Sequence, residues 1–351
     1  MSGTYARIAG LPVRIEGYEL EVLTLQLAPE FTRLTTVITL HGGGERGVGE
    51  DVVYDAVDHE AQRAAGPVLP LAGEWTIDGL SRHLEGLDLF PQTPVRPQSL
   101  DYRRWAFESA ALDLALRQAG ISLGEALGRE PRPVRFVVST RLDGGGTQRL
   151  RGLLESAPGL RFKLDPTDEW TPAMMRELAA LGVVDTLDMK GHYGDDVPMS
   201  IPTDPRTYAG VVALFPDAWI EDPRLTPPLR EALRGAEDRV TWDAPIHSVA
   251  DVRALEWQPR MINIKPSRFG PLSALMATYD HLAERGIGAY GGGQTELGPG
   301  RGQVQYLASL FHPDGPNDVA PGGYNDPASP PGLPDTPLAV AAAPTGFRWE
   351  S

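Results

Sequence analysis

The chain contains no cysteine, which excludes disulfides, thiolate metal sites and a cysteine nucleophile. It is also short of positive charge, since 32 basic against 47 acidic residues leave a net charge of −15. That balance opposes binding to nucleic acid or anionic lipid and favours a small-molecule ligand. No apolar run approaches the roughly 18 residues of a membrane helix, and Met1-Ser2-Gly3-Thr4 lacks the basic segment and apolar core of a secretory leader. A soluble, cytoplasmic protein with no membrane partner is expected; homo-oligomer formation is left open. There is no low-complexity tail and no internal repeat beyond strand–helix alternation. The run Gly42-Gly43-Gly44 has no lysine or serine after it at phosphate-loop spacing, so it reads as a hairpin turn.

What is present points to two domains. The 351 residues accommodate an α/β barrel of about 250 residues with about 100 to spare. Residues 1–100 read as an α+β domain, with strand composition at 14–22 and 35–40 and helices at 51–65 and 77–87. A helix is expected over 100–119, where Phe107, Ala110, Ala111 and Leu114 share a face and Gly120 ends the run. Residues 101–337 then read as the barrel, starting with a strand at 134–139 and a flexible loop at Gly144-Gly145-Gly146. Helices are expected at 147–155, 171–181, 206–214, 228–234, 249–255, 271–285 and 302–311. An eighth strand is placed at 317–320, a proline-rich and glycine-rich loop at 321–337 and a last strand at 338–342.

Five charged residues stand at strand ends. In Met261-Ile262-Asn263-Ile264-Lys265, alternation puts Met261, Asn263 and Lys265 on one side and the isoleucines on the other, against helices. Pro266 stops the strand, so Lys265 stands at its C-terminal mouth, where barrel enzymes do their chemistry. A lone lysine there is more often a solvated side chain, but earlier strands end in Lys163, Asp188, Glu221 and Asp243. Successive spacings of 25, 33, 22 and 22 residues each fit one strand, one helix and two loops, which brings all five to one mouth. Three carboxylates suit a hard divalent cation such as Mg2+. Such a cation stabilises the two oxygens of an enediolate, the product of removing a proton next to a carboxylate. A lysine takes that proton only when neutral.

With these residues in this order, the chain resembles the enolase superfamily and, within it, the muconate-lactonizing subgroup of o-succinylbenzoate synthases, N-acylamino acid racemases and dipeptide epimerases. Gly47-Val48-Gly49-Glu50, Ala106-Phe107-Glu108-Ser109-Ala110-Ala111-Leu112-Asp113, Glu221-Asp222-Pro223, Lys265-Pro266-Ser267-Arg268-Phe269-Gly270 and Gln294-Thr295-Glu296-Leu297-Gly298 also look like family segments. The resemblance implies a TIM-type (β/α) barrel with an N-terminal α+β capping domain, to which residues 338–351 return. It implies Lys163 and Lys265 as catalytic residues, Asp188, Glu221 and Asp243 as Mg2+ ligands, and a small-molecule carboxylate substrate. Substrate contacts are expected from Arg161, Lys190, Gln294 and Glu296, with specificity residues in the cap between 15 and 31. The reaction implied is racemisation, epimerisation or elimination through an enediolate.

Three positions depart from the family pattern. Asp188-Met189-Lys190 stands where Asp-x-Asn is usual, Arg161-Phe162-Lys163 where Lys-x-Lys is usual, and Ala244 replaces a common glutamate. Arg161 keeps a positive charge able to depress the pKa of Lys163. Lys190 is expected to turn away into its loop, leaving the three carboxylates free for metal. A non-catalytic or metal-independent relative that binds a small acid is the alternative. His192 and His247 read as loop histidines, because the lysines already fill the acid and base roles.

Overall fold

The computed structural model describes residues 3–142, 146–193, 201–325 and 332–350. Gly144, Gly145 and part of the 321–337 loop lie outside them.

Thr35, Thr36, Val37, Ile38 and Thr39 favour extended backbone, and they sit in Phe31–Gly42, the central strand of an antiparallel meander with Gly17–Ala28 and Glu45–Asp51. Gly42 pairs with Glu45, so the expected hairpin turn is made by Gly43 and Gly44, with φ of 59° and 80°. A second pairing joins Pro12–Ile15 to Gly73–Thr76, and helices Ala56–Ala65 and Ile77–Glu85 complete the domain.

Helix Ser99–Ala119 ends at a left-handed Gly120 and lies against strand Glu45–Asp51. A Cβ at Gly47 would stand 2.3 Å from the Ala110 carbonyl oxygen, and one at Gly49 2.1 Å from that of Ala106. Backbone cannot rotate aside, so the helix would have to lift. Gly49→Ala is therefore expected to destabilise the fold by about 1–3 kcal/mol, read as a lower denaturant midpoint. An unchanged midpoint would show that this contact gives without cost.

Seven barrel strands follow: Val137–Thr140, Arg161–Leu164, Val184–Asp188, Trp219–Glu221, Val240–Thr241, Met261–Ile264 and Gly288–Gly291. The first five form one parallel sheet in chain order and the last two a parallel pair, joined by the Asn263 N–H to the Trp242 carbonyl at 2.9 Å. Single bridges from Asn317 to Phe136 and from Asp318 to Gly292 close the ring. The eighth strand is thus shorter than 317–320. Side-chain bonds of Asn317 replace a longer ladder, accepting from the Gly291 N–H at 2.6 Å and donating to the Arg135 carbonyl at 2.8 Å. Phe136, Val138, Phe162, Leu164, Leu187, Ile220, Ile262 and Ile264 are fully buried around the barrel.

Helices Gln148–Ser156, Pro172–Leu181, Pro205–Leu214, Pro227–Ala232, Val249–Ala254, Leu272–Arg285 and Pro299–Phe311 alternate with the strands. Side chains of Thr171, Asp204 and Ser248 cap three of them. Among the described residues no helix is long and apolar enough to cross a membrane.

The strand expected at 338–342 is not formed. Leu338 makes one bridge to Val134 and Ala342 one to Trp349, because Pro337 has no N–H to extend a ladder. The segment instead reaches the long helix, where Asp113 accepts from the Phe347 N–H at 2.8 Å and Arg348 Nε at 2.9 Å.

Two buried side chains tie the N-terminal domain to the barrel loop after the seventh strand. Arg33, with no exposed surface, donates to the carbonyls of Val52 at 2.7 Å, Gln294 at 2.9 Å and Thr295 at 3.2 Å. Glu50 accepts from the N–H groups of Leu297 at 2.6 Å and Gly300 at 2.8 Å.

Candidate active site

Asp188 and Glu221 close the third and fourth strands, and Lys163 is the third residue of the second. Asp243 lies two residues beyond the fifth strand, and Lys265 one beyond the sixth. Pro266 then opens a 3-10 turn over Pro266–Phe269, which brings Arg268 back beside Lys265. The barrel buries all five expected charged residues, none more than 8% exposed.

They form two neighbouring clusters, Lys163 with Asp188 and Glu221, and Lys265 with Asp243. The Lys163 ammonium bonds Glu221, stands 3.0 Å from Asp188 Oδ2 and 3.5 Å from Asp318 Oδ2. Lys265 Nζ is 3.0 Å from Asp243 Oδ2, whose other oxygen takes Arg268 Nη1 at 2.8 Å. Tyr290 donates to Glu221 from the seventh strand. Asp222, with a left-handed φ of 47°, accepts from the N–H groups of Asp243 at 2.9 Å and Ala244 at 2.8 Å, fixing the loop that carries Asp243.

Burial alone would draw the Lys163 ammonium down, but Asp188 and Glu221 outweigh it and hold its pKa well above the usual lysine value. Burial acts the same way on Lys265, and Asp243 raises it against both burial and the Arg268 charge. Burial favours the neutral form of Asp188, yet Lys163 and Lys190 hold it below the usual carboxylate range. Burial, Asp243 and Asp188 together push Asp222 up to about 7.

A cavity of about 280 Å³ adjoins these clusters, lined by Tyr54 and Arg96 of the N-terminal domain, by Tyr102 of helix Ser99–Ala119 and by Tyr193, His247 and Arg268 of the barrel. The structure thus has a small N-terminal domain over the C-terminal mouth of a parallel barrel, with the charged clusters beneath. The family model "Domain of unknown function (DUF8230) N-terminal domain" matches residues 6–126, and its C-terminal counterpart matches residues 130–326. The chain belongs to the DUF8230 family. No curated protein matches it. Solved structures that resemble this DUF8230 chain include a dipeptide epimerase from Enterococcus faecalis V583, at 14% identity and a TM-score of 0.68, covering 96% of this chain and 100% of the other. Muconate cycloisomerase from Pseudomonas fluorescens is 19% identical with a TM-score of 0.66, covering 97% and 96%. An enolase-superfamily member from Listeria innocua Clip11262 is 17% identical with a TM-score of 0.62, covering 88% and 86%. The fold of this DUF8230 chain is the capped TIM-type barrel of enolase-superfamily proteins.

The remaining expected contacts divide. Arg161 shares its strand with Lys163 but faces the other end of the barrel, where its Nε donates to Asp185 at 2.9 Å and its Nη1 to the Gly182 carbonyl at 2.6 Å. It is therefore not placed to meet a ligand at the mouth. Gln294 lies behind the cavity wall, accepting from Tyr54 at 3.0 Å and donating to Tyr102 at 3.3 Å. Glu296 is spent on its own loop, accepting from the Gln294 N–H at 2.6 Å and pairing with Arg301 at 3.1 Å. The ring nitrogens of His247 each lie 3.1 Å from a backbone carbonyl, those of Arg268 and Ala244, and His192 stands edge-on to Trp242 with ring centres 5.2 Å apart.

Lys190 reverses its expectation: its ammonium turns onto Asp188 and lies 3.6 Å from Asp165 Oδ1. The reason is electrostatic, since a loop position would leave Asp188 and Asp165 buried with less positive charge. Arg268, Tyr193, Tyr290, Asp165 and Asp318 complete the site without having been chosen from the sequence as site residues. Arg268 was legible as the one charge in the short turn that follows Lys265.

Magnesium, which the resemblance implies, does not fit this DUF8230 site as it is arranged. Every oxygen of Asp188, Glu221 and Asp243 already has a donor, from Lys163, the Lys190 N–H and ammonium, Tyr290, Lys265 and Arg268. Among the described residues no group of three or more metal-ligating side chains is placed to hold an ion.

Proposed function

We propose that this chain removes the proton α to the carboxylate of a small acid, giving racemisation, epimerisation or elimination through an enediolate. One observation carries the reading: Lys163 and Lys265, from the second and sixth strands, stand buried on two neighbouring carboxylate clusters, the second of which includes Arg268 on the wall of a cavity. The fold shared with a dipeptide epimerase and a muconate cycloisomerase supports the reaction class, and we place the chain nearest the muconate-lactonizing subgroup. The same reading takes it to be a soluble cytoplasmic enzyme whose partner is its substrate. No step is assigned to Mg2+, because the expected ligand oxygens are already engaged.

The two lysines divide the work by their neighbours. Lys265 faces one carboxylate, and Arg268 shares that carboxylate; it is the easier of the two to deprotonate and is assigned as the base. Lys163 faces Asp188, Glu221 and Asp318, stays an ammonium, and is assigned to stabilise or reprotonate the enediolate.

The test is incubation of acyl amino acids, dipeptides and succinylbenzoate precursors with the protein in deuterated water, read by NMR. Deuterium entering one α-carbon faster than in buffer is the expected result. A barrel that binds a small acid without turning it over is the second reading, favoured by the raised pKa of both lysines. It predicts ligand-induced shifts with no exchange from any member of the library.

A further inference from the structure

Of the 32 basic residues in the chain, 29 are arginine and three are lysine. Lysine is ordinarily among the commonest residues. Here all three, Lys163, Lys190 and Lys265, stand in the same barrel mouth, and two of them belong to one carboxylate, Asp188. Where charge alone is wanted, this chain uses arginine. A lysine therefore marks a place for a compact ammonium with three donors.

Lys190 grips Asp188 twice. Its backbone N–H donates to Oδ1 at 3.1 Å and its ammonium to Oδ2, a pincer that needs a left-handed backbone, φ 53°. Such a conformation is uncommon for any residue but glycine, asparagine and aspartate. The ammonium also lies 3.6 Å from Asp165 Oδ1 and 5.6 Å from the centre of the Tyr193 ring. Each neighbour favours positive charge at that point.

We infer that Lys190 is the resident cation of this site: its ammonium holds the place on Asp188 that a divalent ion would take, so the site keeps such an ion out. A divalent ion reaching Asp188 would stand against both the Lys163 and the Lys190 ammonium, and like charges at such short range repel strongly away from bulk water. The catalytic consequence, an enediolate countered by built-in cations, rests on the proposed proton transfer. The exclusion of metal is a property of the folded chain and stands without it.

The experiment is calorimetric titration of the full chain with MgCl2 at constant ionic strength, on the parent and on Lys190→Asn and Lys190→Arg. Asparagine tolerates the left-handed backbone and carries no charge; arginine keeps the charge. The expected result is no saturable heat from the parent or Lys190→Arg at millimolar Mg2+, with affinity at least about tenfold higher in Lys190→Asn. Micromolar binding by the parent, or no gain in a folded Lys190→Asn, overturns the inference. Should Lys190→Asn not fold by circular dichroism, displacement of Mn2+ signals by the parent, followed by electron paramagnetic resonance, still decides: bound Mn2+ sinks the inference and free Mn2+ supports it. A parent that excludes Mg2+ yet exchanges no α-proton removes the proposed function and leaves this inference standing.

Discussion

Lys265→Ala is expected to lower α-proton exchange by about 10²–10⁴-fold, the range for removing a positioned base, while its melting curve stays close to that of the parent. The second half follows from Arg268. When the Lys265 ammonium is removed, Asp243 keeps the Arg268 guanidinium at 2.8 Å and remains a paired, buried carboxylate. The pocket loses its proton acceptor without gaining an orphan charge. The pKa of Lys265 is raised and its base form is the neutral one, so exchange by the parent should climb with pH below that value. Exchange at the parental rate in a folded Lys265→Ala would move the base to Lys163.

Lys163→Met is expected to lose both exchange and stability. Lys163 is 1% exposed and serves Asp188 and Glu221. Removing one partner of a buried charge cluster costs about 3–5 kcal/mol, and Lys190 offsets that only on Asp188. The sign of its pH dependence follows from the carboxylates. In the parent, Asp188 is held below its unfolded pKa, so its pairing stabilises the fold at neutral pH and that contribution is lost only in strong acid. In the variant, Asp188 is buried with less positive charge, its pKa rises, and the cost is relieved as acid neutralises it, whereas burial and Asp188 already hold Glu221 well above the usual carboxylate range in the parent. The difference in denaturant midpoint between parent and variant should thus be largest at neutral pH and shrink as acid brings the pH down through the raised pKa of Asp188 in the variant. A difference independent of pH would mean that lost packing, rather than lost charge, sets the cost.

The strand-and-helix order was legible because periodicity and proline stops are local. Pro266, Pro205 and Pro172 each mark a boundary that the backbone must respect. The five charged strand ends were legible for the same reason, since their spacing repeats the length of one βα unit. Contacts made across the barrel were not. Arg161 lies two residues before Lys163 and shares its alternation, but strand depth sends it to Asp185 at the opposite end. Lys190 was misread because its direction depends on Asp165, 25 positions away in the chain, and on a left-handed backbone that no local pattern announces. The scarcity of lysine was in the sequence throughout, and it points to Lys190 as firmly as to the other two.

Arg33 and Glu50 bear on how such a protein can be recombined. Each belongs to the N-terminal domain by sequence, yet their hydrogen bonds reach the barrel loop at positions 294–300, more than two hundred residues on. A chimera joined after the first domain would inherit a guanidinium shaped for one set of carbonyls and a carboxylate shaped for one set of N–H groups. Inserted into a barrel whose loop follows another path, Glu50 would lose these N–H donors and Arg33 would be left with the carbonyls of Val52 and Val53. The unit of exchange among relatives is therefore the N-terminal domain together with the 294–300 loop.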